Sequence, residues 1–334
     1  MRRWLFWLLI AAFLILAVSR FTEIESLVNT LAQGRWEWVV AAVLLQVIYY
    51  VTYAALYQAA FHTVEVESRV RELLPVTFAS LFVNVAAPVA NIGGSALFVD
   101  DAAQRGQSGT RAAVGVVLAM LADVGAFLLP MLVGLVFLLL WDQIRVYQVL
   151  GALAVLAVVV GLTGLLLLGW RARGQLRRLF EGLRRLVNRV FGWFNRSPVL
   201  DDDWAEETAA EFAQAAVVIA DHPRRMGRTL AVGLTTHLVN MACLYALTVA
   251  FYRPMGLEAL MMGYAMAITF RIASITPQGA GVAEGVLTAL YASLGLPGPK
   301  AAAVTLTFRG LSIWLPMVIG FFLLRWVRSF KAQK

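Results

Sequence analysis

The chain of 334 residues is 60% apolar and only 14% charged, with a mean hydropathy of +0.75 and 28 basic against 20 acidic side chains, a net charge of +8. A soluble domain carries roughly 45–50% apolar and about 25% charged residues, so an ordinary soluble enzyme, a disordered chain and a disulfide scaffold are excluded; the single cysteine, Cys243, has no partner within the chain. Of the 28 cations 25 are arginine, and they flank apolar runs, the pattern of membrane orientation before that of nucleic-acid binding.

A helix needs about 20 apolar residues to cross the hydrocarbon core. Runs of that kind are Trp4–Val18, Trp36–Phe61, Ala112–Leu140, Tyr147–Trp170, Thr229–Tyr252 and Ala301–Trp326, which predict six spanning helices. The first, preceded by Arg2 and Arg3, also reads as a signal peptide cut near Ala17-Val18-Ser19, although the remaining runs already require a membrane.

Two further apolar stretches are interrupted. Leu73–Ala90 meets Asn91-Ile92-Gly93-Gly94 and resumes over Ser95–Gln104; Ala259–Ile275 meets Thr276-Pro277-Gln278-Gly279-Ala280-Gly281 and resumes over Val282–Leu294. Irregular backbone at membrane depth is tolerated only where protein or a wet cavity surrounds it. The expectation is two re-entrant helical hairpins, the alternative being a kinked helix or a pair of short spanning helices.

Leu129-Pro130-Met131-Leu132-Val133-Gly134 is nearly copied by Leu315-Pro316-Met317-Val318-Ile319-Gly320, and Pro88 and Pro277 precede Pro130 and Pro316 by 42 and 39 residues. Each half thus holds a hairpin and then a Pro-bearing helix, residues 36–170 and 229–328 of a single membrane domain, 1–334. With a cytoplasmic N-terminus and neither hairpin crossing, 21 cations lie on the cytoplasmic side and five outside, as the positive-inside rule requires. The C-terminus is then cytoplasmic too, the location is the cell (inner or plasma) membrane, and the halves are inverted repeats, an arrangement that places a transported substrate near the midplane.

Between the halves lies a cytoplasmic insert, 171–228. Leu176, Leu179, Phe180, Leu183, Leu186, Val187, Val190, Phe191 and Phe194 recur at helical spacing, opposite Arg177, Arg178, Arg184, Arg185 and Arg189. Such a helix is expected to lie on anionic lipid at 171–196, ahead of an acidic helix that opens at Asp201–Asp203 and ends near His222-Pro223. A solvated linker or a partner-docking segment are the other readings.

Ionisable residues inside a bilayer are costly and face a cavity or a partner. Here they are Asp100, Asp101, Asp123, His237, Arg271, Glu284 and Arg309. Asp123 and Arg309 each lie seven residues before the repeated proline, so an ion pair between them is expected. Arg271 lies one turn before Pro277. Gly279 and Gly281 permit close backbone approach, and the amides of 281–284 open a helix, which favours an anion. Arg271 and Arg309 add planar forks suited to phosphate, and Glu284 either orients an arginine, caps amides or accepts a proton. His237 has no second histidine nearby, so no metal site is expected.

The pattern Pro277-Gln278-Gly279-Ala280-Gly281-Val282-Ala283-Glu284-Gly285, followed by Leu294-Gly295, Ala301-Ala302-Ala303, Arg309 and Leu315-Pro316 with Gly320, resembles the flippase-like membrane domain of lysylphosphatidylglycerol synthases. The similar segment there reads Pro-Gly-Gly-Leu-Gly-Val-Arg-Glu; Gln278, Ala280 and Ala283 differ, and the first hairpin carries Pro88, Gly93-Gly94, Phe98 and Asp100-Asp101 where the family places a basic residue. The resemblance implies an integral membrane protein that moves lipid or a lipid-linked substrate between leaflets. Eight residues follow Trp326, so it implies a stand-alone member without lysyl transfer.

The function expected is therefore a lipid translocase, not an enzyme, with Arg271, Arg309, Glu284, Asp123, Gly279, Gly281, Pro277 and Asp100 at its site. Its partners are membrane lipids with an anionic headgroup and the lipid surface under 171–196, with a homodimer left open and no nucleic acid or cofactor. Two alternatives are a non-transporting scaffold for a lipid-modifying enzyme and an intramembrane serine hydrolase built on Ser95 and His237.

Overall fold

The computed structural model describes residues 34–86, 93–193, 200–274 and 276–323, and its regular elements there are all helical. In chain order they are α1 (Trp36–Thr63), α2 (Val70–Ala86), α3 (Ser95–Gln104), α4 (Gly109–Leu140), α5 (Val146–Arg171), α6 (Arg173–Trp193), α7 (Trp204–Asp221), α8 (Pro223–Phe251), α9 (Leu257–Ala273), α10 (Val282–Ser293) and α11 (Gly298–Leu323). The expected span at Trp4–Val18 and the residues Pro88, Asn91 and Ile92 lie outside the described residues.

Five of the expected spans, now α1, α4, α5, α8 and α11, are helices long and apolar enough to cross a membrane. Their outward faces stay apolar: Leu44, Leu132, Leu139, Leu150, Leu153 and Val160 are all exposed. Helices apolar on every side bury one face in protein and turn the other to lipid. This is a multi-pass membrane protein.

Local sequence sets the helix ends. The Ser108 hydroxyl accepts the Arg111 amide at 3.1 Å and opens α4, and the Gln148 side chain accepts the Arg145 amide at 2.8 Å and opens α5. Pro223 takes the first position of α8, where a missing N–H costs nothing; α8 therefore starts six residues ahead of the apolar run at Thr229. In α11 the turn Gly310–Trp314 widens to π geometry just before Pro316. Proline has no N–H to donate and its ring crowds the preceding turn, and a π-turn absorbs that misfit. The Leu311 carbonyl in this turn accepts the Tyr50 hydroxyl of α1.

Packing links the two ends of the chain. α1 lies on α8, α9 on α4, and α2 on the last part of α11. One core gathers Phe61, Phe82, Phe98 and Leu118 with Phe212 of α7; a second gathers Phe127, Leu247, Tyr264, Tyr291 and Phe308. Glycine permits the tightest contacts. A Cβ on Gly134 would meet the Met261 carbonyl of α9 at 2.8 Å, and one on Gly320 would strike the Phe78 carbonyl and the Phe82 Cβ of α2, the latter at 2.9 Å.

α4 serves as a ruler. In its first turn Arg111 pairs with Glu65 at 3.4 Å, beside the start of α2. Nearby Arg105, just past α3, pairs with Glu72 of α2 at 3.2 Å, so α2 begins where α3 ends. At the far end of α4, Leu138 packs with Ala259 at the start of α9 and Leu290 near the end of α10. Arg111 and Leu138 are separated by about 40 Å of helix at about 1.5 Å per residue.

The insert is a helical pair docked on the bundle. Phe180 of α6 meets Trp204 and Phe212 of α7 edge-on, both at 5.9 Å, and Phe212 in turn packs at Gly169 of α5. Arg177 pairs with Glu181 at 2.9 Å and with Glu206 at 3.4 Å, and Arg184 pairs with Asp202. The basic face is thus partly neutralised by Glu181 of α6 itself, Glu206 of α7 and Asp202 just before α7, while Leu179, Leu183 and Leu186 stay exposed.

Candidate functional site

The second break is built around two glycines and one ion pair. Pro277–Gly279 forms a single tight turn, and Gln278, Gly279 and Gly281 take left-handed φ values of 53°, 69° and 84°. Any Cβ at Gly279 would lie 2.7 Å from the Phe270 carbonyl and 2.9 Å from the Arg271 Cα, so the turn folds directly onto the last turn of α9. Only glycine allows both this φ and this approach. At the first break close approach alone calls for glycine: a Cβ on Gly94 would collide with the Ser80 carbonyl of α2, and the Gly94 amide donates to Asn84 Oδ1 at 2.8 Å.

Glu284 combines two of the roles expected of it. Its Oε2 accepts the Gly281 amide at 2.7 Å, capping α10, and its Oε1 accepts Arg309 Nε at 2.8 Å. Arg309, 3% exposed, also donates from Nη2 to the Gln278 carbonyl at 2.5 Å. The guanidinium of α11 is therefore spent on holding the break. The carboxylate of Glu284 likewise occupies the amide position that the sequence offered to an external anion.

The expected Asp123–Arg309 pair does not form. His237 of α8 instead places Nε2 at 2.9 Å from the Asp123 carbonyl and 3.3 Å from its Oδ1, and Nδ1 at 2.7 Å from the Tyr264 hydroxyl. A carbonyl only accepts, so Nε2 carries the proton, and in the neutral ring the Tyr264 hydroxyl donates to Nδ1. Both ring nitrogens of His237 are engaged, neither by Ser95. Equal spacing from a repeated motif does not imply contact: Asp123 and Arg309 each pair with the helix packed beside them.

Arg271 differs from Arg309. It is half-buried in the last turn of α9, and no carboxylate lies within salt-bridge distance of it among the described residues. Its electrostatic neighbours are Tyr49 and Tyr53 of α1, Asp123 of α4 and Tyr264 of α9. From Leu257 to Arg271 the helix rises about 21 Å at 1.5 Å per residue. On α8 the Oδ1 of the buried Asn240, whose amide lies beside Tyr264, has no hydrogen-bond partner. Buried polar atoms are nearly always paired.

Asp100 stands apart from this group. It lies on α3 and accepts Gln104 Nε2 at 2.8 Å. The structure therefore gathers Arg271 and Asp123 with His237, gathers Glu284, Arg309, Gly279 and Gly281 around the break opened by Pro277, and leaves Asp100 in the first half. The tyrosines are the residues missed. Tyr49, Tyr53 and Tyr57 recur every fourth position on α1, and neighbouring rings lie 5.9 and 5.5 Å apart; hydroxyl-bearing rings along one face of a spanning helix are a readable signal of a polar interior.

The comparisons accord with this architecture. The sequence profile described as "Lysylphosphatidylglycerol synthase TM region" matches residues 4–320. The UPF0104 membrane protein PH1989 of Pyrococcus horikoshii is 20% identical over 319 residues, covering 94% of each chain. No solved structure matches the chain. With nearly its whole length matched by that profile, the chain belongs to the lysylphosphatidylglycerol synthase transmembrane-region family.

Proposed function

We propose that the protein is a lipid translocase that moves a lipid with an anionic, phosphate-bearing headgroup between leaflets, without chemistry on the lipid. Arg271 carries the reading: a half-buried guanidinium with no carboxylate within salt-bridge distance among the described residues, beside broken backbone and the phenols of Tyr49, Tyr53 and Tyr264, and set by this reading at mid-membrane depth. Asp123 lies within electrostatic range but its carboxylate faces His237, so a headgroup phosphate supplies the direct counter-charge that a cation at that depth requires. In this reading Arg271 binds the phosphate with Tyr49 and Tyr264 beside it. Arg309 and Glu284 hold the break in place, Gly279 and Gly281 give it its shape, Pro277 opens it, and Asp123 fixes His237 at the wall.

Alternating access would come from inverted repeats. The four helices α1–α4, of 28, 17, 10 and 32 residues, are followed in the same order by α8–α11, of 29, 17, 12 and 26 residues. Contacts come in matched pairs, α9 on α4 and α2 on α11, through Gly134 and Gly320 at the same place in the repeated motif. Helices α2, α3, α9 and α10 are each too short to cross about 30 Å, and their paired ends lie at opposite ends of α4. These features support two hairpins that dip from opposite sides of the plasma membrane, with the arginine-rich insert and both termini in the cytoplasm.

The test is transport. Purified protein in liposomes should move fluorescent phosphatidylglycerol or a labelled polyprenyl phosphate across the bilayer faster than protein-free vesicles, and a lipid of that class should co-purify with it. Vesicles that move neither substrate would refute the reading.

A further inference from the structure

A second basic site lies away from Arg271. A cleft of about 980 Å³ opens between the end of α1, the connection to α2, the residues after α3 and the first turns of α8. Arg69, Arg105, Arg225 and Arg228 line it, from three separate parts of the chain. Arg105 is committed to Glu72 at 3.2 Å and to Asp101 at 2.9 Å, and Glu65 is committed to Arg111. Arg69, Arg225 and Arg228 have no carboxylate within salt-bridge distance among the described residues. Against these three cations only Glu67 of the lining carboxylates stands unpaired.

Three guanidinium groups that line one cleft give it a positive potential that favours a bound anion. The Ser68 hydroxyl lines the same cleft, and its oxygen is buried without a partner. Ala55, Ala59 and Val232 add apolar wall from the spanning helices α1 and α8. The cleft thus joins phosphate-seeking forks to a surface that accepts hydrocarbon, at the arginine-rich end of the bundle where lipid headgroups lie. Its size falls within the roughly 300–1,000 Å³ of small-molecule sites.

We infer that Arg69, Arg225 and Arg228 form a binding site for a phosphoryl group, the headgroup phosphate of a membrane lipid or a free phosphate anion, at the end of the bundle marked by Glu72 and Arg105. As the place where a headgroup waits before it reaches Arg271, the cleft depends on the translocase reading; as an anion site it does not.

The experiment titrates inorganic pyrophosphate into the full-length protein in phosphatidylcholine nanodiscs, followed by calorimetry, and repeats it with phosphatidate added to the nanodisc. Arg225→Gln/Arg228→Gln should weaken pyrophosphate binding about tenfold or more, and Arg69→Gln alone should weaken it measurably, which keeps the test valid if the double variant folds poorly. Arg224→Gln, exposed and outside the cleft, should leave it unchanged. Competition by phosphatidate identifies a lipid headgroup as the occupant; pyrophosphate binding that phosphatidate leaves intact identifies a soluble anion. Absence of binding by both probes, or equal binding in the wild type and the cleft variants, overturns the site. Intact pyrophosphate binding in a protein that moves no lipid would remove the translocase reading and spare this one.

Discussion

Arg309 of α11 donates from Nε to Glu284 Oε1 at 2.8 Å, and the other oxygen of the same carboxylate accepts the Gly281 amide at 2.7 Å. One carboxylate thus ties the break to the Pro-bearing helix and caps the arm that follows. Removing one member of a buried pair strands the other, a loss of about 3–5 kcal/mol. Arg309→Met should therefore lower the detergent melting temperature sharply, and Glu284→Gln/Arg309→Met should lose less than the two single changes added together. Strictly additive losses would mean that the pair is not coupled.

The glycine contacts allow a matched comparison. At Gly134 a Cβ meets the Met261 carbonyl at 2.8 Å, and at Gly320 it strikes the carbonyl of Phe78, whereas nothing lies within 4 Å of a Cβ on Gly161. Overpacking costs roughly 1–3 kcal/mol, while Gly→Ala in an open helix position gains up to about 1 kcal/mol. Gly134→Ala and Gly320→Ala should both lower thermal stability, and Gly161→Ala should hold or raise it.

The proposed arrangement of two opposed hairpins makes a prediction about sidedness. Glu67 and Gln104 are exposed beside the two ends of the first hairpin; Arg253 and Pro299 are exposed beside those of the second. Cysteines placed at 67 and 104 should react with an impermeant maleimide from one side of sealed vesicles, and cysteines at 253 and 299 from the other. Cys243 is fully buried and should give little background. Labelling of all four from one side would contradict the topology.

Apolar length made α1, α4, α5, α8 and α11 legible in the sequence, because a spanning helix is a local property of about 20 residues. The second break was legible for the same reason: Pro277, Gly279 and Gly281 act on their own backbone, and the Glu284 cap reaches back only three residues. Ion pairing was not. Arg309 and Glu284 are 25 residues apart, and His237 reaches the Asp123 carbonyl across 114. Spacing reports which residues occupy equivalent places, whereas contact depends on which helices pack. For that reason a symmetric Asp123–Arg309 pair was expected and two asymmetric pairs formed. The arginine cleft was hidden likewise, since Arg69 and Arg228 line one cleft only once α1 and α8 are side by side. The insert's arginines showed as one basic face, and only the fold reveals that Glu206 of α7 and Asp202 just before it take up Arg177 and Arg184.

The most direct measurement is the rate at which liposomes carrying Arg271→Gln move labelled phosphatidylglycerol, beside Arg271→Lys and the wild type. Arg271 holds no ion pair among the described residues, so its loss should leave the melting temperature close to that of the wild type. Transport should fall about tenfold or more, the equivalent of about 1.4 kcal/mol in headgroup binding, with Lys restoring part of it through charge alone. A folded Arg271→Gln protein that moves the lipid at the wild-type rate would contradict the account.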